Sequence, residues 1–155
     1  MTEPVDDVDR VMAVMARAFD PAFGEAWTRR QIEDALLIAN SHLILTGQRA
    51  CAPDSGEPAV GFALSRHGYE EEELLLLAVL PEFRNLGLGR YLVETLKNDA
   101  AVRGARRLLL EMREGNSAQR LYKAAEFDQI GTRVKYYQMA SGDRIDAITY
   151  ACDIQ

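Results

Sequence analysis

Residues 78–90 read AVLPEFRNLGLGR: an apolar strand end, a proline, then the pattern RxxGxG on Arg84, Gly87 and Gly89, with Arg90 directly after. The stretch follows a continuous apolar run, Leu74 to Leu80, that reads as a central strand covered on both faces and closed by Pro81. It opens a long helix, Gly87 to Val102, in which Leu88, Leu92, Val93 and Leu96 recur at helical spacing. Glycines at such a junction let the backbone approach a ligand without a Cβ in the way, and the unpaired N–H groups of a helix start favour phosphate. Arg84 and Arg90 add charge suited to phosphate oxygens. The spacing is neither GxGxxG nor GxxxxGK[ST], and two glycines in isolation would serve equally well as a plain turn.

Working outward, Arg107 to Met112 is a further strand, so strand, helix and strand predict a crossover between parallel strands. Towards the N-terminus, Val5, Val8, Val11, Met12, Met15 and Phe19 mark a first amphipathic helix that ends near Asp20 and Pro21. Thr28 caps a second, Arg29 to Ala39. Leu43 to Thr46 and Ala59 to Ser65 form a hairpin around a Pro/Gly-rich turn, and the acidic run Glu70 to Glu73 reads as a solvated turn. Beyond the crossover, Ser117 to Ala125 is a short helix, and Phe127 to Tyr137 pairs antiparallel with Asp146 to Cys152. The sum is an α/β fold in mixed order and one domain.

Composition narrows the function. Lys plus Arg number 18 against 24 for Asp plus Glu, a formal charge of −6, with no basic block. A nucleic-acid binder, whose affinity comes largely from neutralising phosphates, is thereby disfavoured. With 48% hydrophobic and 27% charged residues the chain builds a core without disulfide or metal, and Cys51 and Cys152 lie in no ligand spacing. The acidic opening MTEPVDDVDR and the absence of an apolar run longer than seven residues argue against a leader or a membrane span. The expectation is a cytoplasmic monomer with reduced thiols.

In its context, the RxxGxG loop resembles the acetyl-CoA loop of the Gcn5-related N-acetyltransferase superfamily. The stretch Leu74 to Ala147 is more particularly similar to the RimI-like branch, the bacterial ribosomal-protein alanine N-acetyltransferases. The linked motifs are LLLLAVLP, RNLGLGR, LEMREGN at Leu110 to Asn116, the pair Leu121-Tyr122, and RVKYY at Arg133 to Tyr137 followed by Asp146-Ala147. Ala26-Trp27-Thr28 also resembles that branch's proline-Trp-Ser region, with Ala26 in place of the proline. The resemblance implies a mixed central sheet flanked by helices on both faces, and acetyl-CoA as cosubstrate. It places Leu77, Ala78 and Val79 on a splayed strand beside the pantetheine arm, and Arg84, Asn85, Leu86, Gly87, Leu88, Gly89 and Arg90 around the pyrophosphate. It brings Asn116 to the thiol end of the cofactor, makes Glu111 the general base and Tyr122 the general acid, and puts Tyr136 and Tyr137 on the substrate side. The basic N-terminal tail of a ribosomal protein is the acceptor it implies.

The chemistry asked of those two residues can be stated independently. An N-terminal amine has a pKa of about 7.7–8.0 and must lose a proton to attack a thioester. Glu111 can accept that proton, Tyr122 can return one to the leaving thiolate, and an N–H near Val79 can meet the charge that grows on the carbonyl oxygen. Read alone, however, Glu111 is equally the residue that carries an apolar strand into solvent, Tyr122 a core aromatic, and Tyr136 and Tyr137 ordinary strand aromatics. Glu73 is the member of the acidic run placed to attract a basic acceptor.

Three departures from the branch are visible. The interval from Asn116 to Tyr122 is one residue short, which on a helix is about 100° of rotation. Glu126 stands where the branch has a glycine after the helix; since a left-handed cap is unfavourable with a Cβ, a differently built helix end is expected. Leu80 replaces a polar residue before the proline. A lysine or small-amine acceptor, or a non-catalytic acyl-CoA-binding module, remain the alternative functions.

Overall fold

The structure, a computed structural model, describes residues 6–154. Val5, placed by periodicity at the head of the first helix, lies outside the described residues. The elements follow in the order α1 (Asp7–Ala18), α2 (Arg29–Leu37), β1 (Ser41–Thr46), β2 (Gly61–His67), β3 (Glu71–Val79), α3 (Leu88–Val102), β4 (Arg107–Arg113), α4 (Gln119–Ala124), β5 (Asp128–Gln138) and β6 (Arg144–Asp153). The strands form one sheet in the order β1-β2-β3-β4-β6-β5, parallel at β3/β4 and antiparallel elsewhere. Parallel neighbours need a crossover, and α3 supplies it.

Alternation along β3, interrupted where the β2/β3 register shifts between Leu64 and Ser65 and skips Leu75, sends side chains to two cores. Leu76 and Ala78 pack with Val11, Val14 and Met15 of α1 and Ile32 of α2. Leu74 and Val79 pack on the other face with Leu92, Val93 and Leu96 of α3 and Tyr122 of α4. Helices therefore cover both faces, as the apolar run predicts. Local chemistry agrees with these placements. Asp6 accepts from the Val8 amide at the start of α1, and Thr28 with Gln31 forms a reciprocal capping box at the start of α2.

Two expectations are corrected. The acidic run is no solvated turn: β3 begins at Glu71, and Glu72 points inward with 0% of its surface exposed. Arg103 grips its carboxylate at 2.8 and 2.5 Å, Ser65 donates to it at 2.7 Å and His67 lies at 3.3 Å. A buried charge persists because it is paired and hydrogen-bonded. The end of α4 is also built as a glycine would build it, since Glu126 adopts φ +71°. Packing holds it there: Ala125 and Phe127 on either side are buried, and the Phe127 amide donates to the Tyr122 carbonyl at 3.0 Å.

Candidate active site

The pairing of β3 with β4 runs only from Glu71/Arg107 to Leu74/Leu110. Past that point the strands part, while β3 stays paired to β2 as far as Val79 and β4 to β6 as far as Arg113. A cleft of about 1290 Å³ fills the gap, lined by Leu74 to Val79 on one side and Leu110 to Arg113 on the other. Leu77, Ala78 and Val79 thus stand on a splayed strand with main-chain groups beside the cleft.

One end of the cleft is closed by the glycine turn. Asn85 and Gly87 adopt φ +62° and +85°, and no side chain caps the start of α3. Gly87 has open space around its missing Cβ, so its role is conformational. Gly89 has a different one: a Cβ there would lie 3.0 Å from Leu121 Cδ2, so its absence lets α4 pack on α3. Arg84 donates to the carbonyls of Val79 at 3.1 Å and Ala18 at 2.7 Å, which fixes the turn to the ends of β3 and α1. Arg90 is shared between Glu94 at 2.9 Å and the Ala124 carbonyl at 2.9 Å. Arg84, Asn85, Gly87, Gly89 and Arg90 line the cleft. Leu88 turns its side chain into the core and Leu86 is exposed.

Glu111, Tyr122, Tyr137 and Asn116 also line the cleft. Arg133 reaches Glu111 Oε2 at 3.1 Å and the Thr149 hydroxyl donates to the same oxygen at 3.3 Å. Tyr122 is buried edge-on against Phe127, with ring centroids 5.6 Å apart. Burial, followed by the charge of Glu25, pushes its phenol well above the ordinary value. The Tyr137 phenol is pushed up to about 12 by burial, then by the charges of Glu111 and Glu25 and by Tyr136, against an opposing effect of Arg133. Asn116 turns its side chain to the protein: its Oδ1 accepts from the Ala118 amide at 2.9 Å and its Nδ2 donates to Glu25 at 3.2 Å. α4 starts at Gln119, two residues later than its apolar pattern suggests, and Tyr122 reaches the cleft despite the short interval.

A bulge selects between the two tyrosines of β5. The β5/β6 register shifts between Arg133 and Tyr137, with Lys135 at φ +53° and its amide donating to Asp146 at 2.8 Å. Tyr137 is thereby turned to the cleft, while Tyr136 stays outside it, T-stacked on Tyr137 at 5.3 Å. Glu73 is not brought to this cleft; it sits exposed beside Arg66, at 3.5 Å, near the start of β3.

Residues 9–127 match the model of the acetyltransferase (GNAT) family. The chain belongs to that family. It is 36% identical over 93 residues to the [ribosomal protein bS18]-alanine N-acetyltransferase of Haemophilus influenzae, covering 60% of this chain and 64% of that relative, so slightly under two thirds of the relative's length is spanned. To the protein of the same name from Escherichia coli K12 it is 32% identical over 126 residues, 74% of this chain and 84% of that one. The crystal structure of the ribosomal-protein-S18-alanine N-acetyltransferase from Escherichia coli superposes with a TM-score of 0.78 at 27% identity, covering 99% of this chain and 92% of that one.

Within this GNAT fold, the residue that sequence reasoning missed is Glu25. It lies on the α1–α2 connection, lines the cleft and is only 15% exposed. Arg113 Nε reaches its Oε1 at 2.9 Å while the Arg113 guanidinium lies 3.4 Å over the Phe23 ring. No local signal marks Glu25, because its partners Arg113 and Asn116 are 88 and 91 residues away in the chain. No helix among the described residues is long and apolar enough to cross a membrane.

Proposed function

We propose that this chain transfers an acetyl group from acetyl-CoA to a protein N-terminal amine, with the N-terminal alanine of a small-subunit ribosomal protein as acceptor. The observation that carries the reading is the cleft itself. An uncapped helix start behind a left-handed turn, a carboxylate, a buried phenol and a splayed strand all line it. Those features fit acetyl-CoA: backbone N–H groups at the start of α3 for the pyrophosphate, β3 main chain from Leu77 to Val79 for the pantetheine arm, and room beyond it for an amine.

In this reading Glu111 takes the proton that the acceptor amine must shed before it attacks the thioester. Tyr122, whose phenol stays protonated at neutral pH, returns a proton to the departing thiolate. Tyr137 borders the space between them, and Asn116 holds the wall on which Tyr122 is carried. The names of the two bS18-alanine N-acetyltransferase relatives support the alanine acceptor.

The test is intact-mass analysis of a synthetic peptide with a free N-terminal alanine and a basic tail, incubated with protein and acetyl-CoA beside an N-blocked peptide containing lysine. Acetylation of the free N-terminus alone supports the reading. Mass gain on the blocked peptide instead moves the acceptor to a lysine, and none on either with acetyl-CoA bound overturns peptide acetylation.

A further inference from the structure

Glu25 and Glu111 both line the cleft, Glu25 from the α1–α2 connection and Glu111 from β4. Both charges act on the Tyr137 phenol, and Glu25 acts on Tyr122 as well. Glu25 is held rather than free, with one donor on each oxygen, Arg113 on Oε1 and Asn116 on Oε2. A carboxylate has about four lone-pair sites, so two donors fix its position and leave acceptor capacity facing the cleft. Arg113 is fixed in turn by Phe23, and the Ala22 carbonyl accepts from the Ala140 amide at 2.8 Å, which ties the connection to the β5–β6 turn. The result is a pre-organised, nearly buried carboxylate, paired with Arg113, on the wall of the cleft. Glu111 is engaged on Oε2 alone, by Arg133 and Thr149, so the two carboxylates can divide the work, the doubly anchored Glu25 holding the cation and Glu111 taking the proton.

We propose that Glu25 is the acceptor-binding carboxylate of this site, holding the primary ammonium group of the acceptor by a charge-assisted hydrogen bond beside Glu111. The inference rests on the acceptor being an amine, as in the reading above. Glu25 exchanges no proton: it fixes the ammonium nitrogen, and Glu111 takes the proton. Arg113 and Phe23 are positioning residues that act through Glu25.

The experiment measures binding, so it does not depend on turnover. Protein saturated with CoA is titrated with the alanine peptide and with its des-amino isostere, in which a propionyl group replaces the alanyl residue. The wild type is expected to prefer the amine by about tenfold, as a charge-assisted contact in a shielded site supplies. Glu25→Gln is expected to bring that ratio to within about twofold with CoA affinity unchanged, and Glu25→Asp to keep most of it. Loosening of the connection alone lowers both affinities together and leaves the ratio intact. No amine preference in the wild type, or a full preference in Glu25→Gln, overturns the proposal. Acetylation of the same peptide is followed in parallel. Preference lost in Glu25→Gln without acetylation by the wild type upholds Glu25 and removes the acetylation reading; acetylation with the preference unchanged in Glu25→Gln does the reverse.

Discussion

Glu111 Oε2 lies 3.1 Å from Arg133 Nε, joining the middle of β4 to the outermost strand β5 across the intervening β6. Arg133 is 62% exposed and Glu111 20%, so solvent at the arginine keeps the contribution of the pair to stability small, about 0–1 kcal/mol. Glu111→Gln therefore separates chemistry from folding. We expect turnover to fall by about 10²- to 10⁴-fold with acetyl-CoA affinity and melting temperature nearly unchanged. An unchanged rate in a steady-state assay would remove Glu111 as the base.

Tyr122 is expected to act as an acid whose own titration never enters the pH–rate curve. Its phenol lies well above the ordinary 10, through burial and then the charge of Glu25, so it keeps its proton throughout the range from about pH 7 to 10. Tyr122→Phe should lower kcat by about 10²- to 10⁴-fold uniformly over that range, leaving the shape of the profile intact. If the wild type shows an alkaline limb near pH 10 that Tyr122→Phe abolishes, the phenol titrates normally and the assignment fails.

Glu72 gives the fold a defined acid sensitivity. Burial alone would raise its carboxyl, but the hydrogen bonds from Arg103 and Ser65, the charge of Arg103 and the contact with His67 outweigh burial and hold it below its ordinary 4.5. A carboxyl lowered in the folded state contributes stability that is complete above its unfolded value and is lost as pH falls through the folded one. Urea denaturation should thus show constant stability from this group above about pH 4.5 and a decline below it. Arg103→Met leaves the buried carboxylate without its cation, an expected loss of about 3–5 kcal/mol at pH 7, with the acid decline made shallower. A loss under about 1 kcal/mol would mean that Ser65 and His67 suffice.

Glu126→Gly should stabilise the protein. A left-handed residue with a Cβ is disfavoured by about 1–2 kcal/mol, and the glycine gives back about 0.4–1 kcal/mol through the unfolded chain. The net gain, a few tenths to about 1 kcal/mol, would appear as a higher denaturation midpoint at unchanged slope. A lower midpoint would show that the glutamate makes a contact worth more than the strain.

The cleft's frame could be read in one dimension because its signals are local: the apolar run ending at Pro81, the turn glycines and the periodicity of α3 sit within thirty residues of each other. What escaped depends on partners far along the chain. Four consecutive glutamates look like a solvated turn until Arg103, 31 residues beyond Glu72, makes the third an interior group. Glu25 carries no pattern of its own, and Arg113 finds it only after β4 and the α1–α2 connection meet. The choice between Tyr136 and Tyr137 turns on a single bulge at Lys135, a residue type with no preference for that conformation. Glu73 shows the converse, where charge in the right region of the sequence falls on the wrong end of a strand.

The four residue pairs that join β3 to β4 are also a mechanical seam. On one side lie β1 to β3 with α1 and α2, on the other β4 to β6, and past Leu74 and Leu110 the two half-sheets are held apart like the jaws of a clothes-peg. A molecule lying along the gap would touch both jaws at once, so its arrival and departure would be felt as a change in how firmly the halves of the protein are coupled.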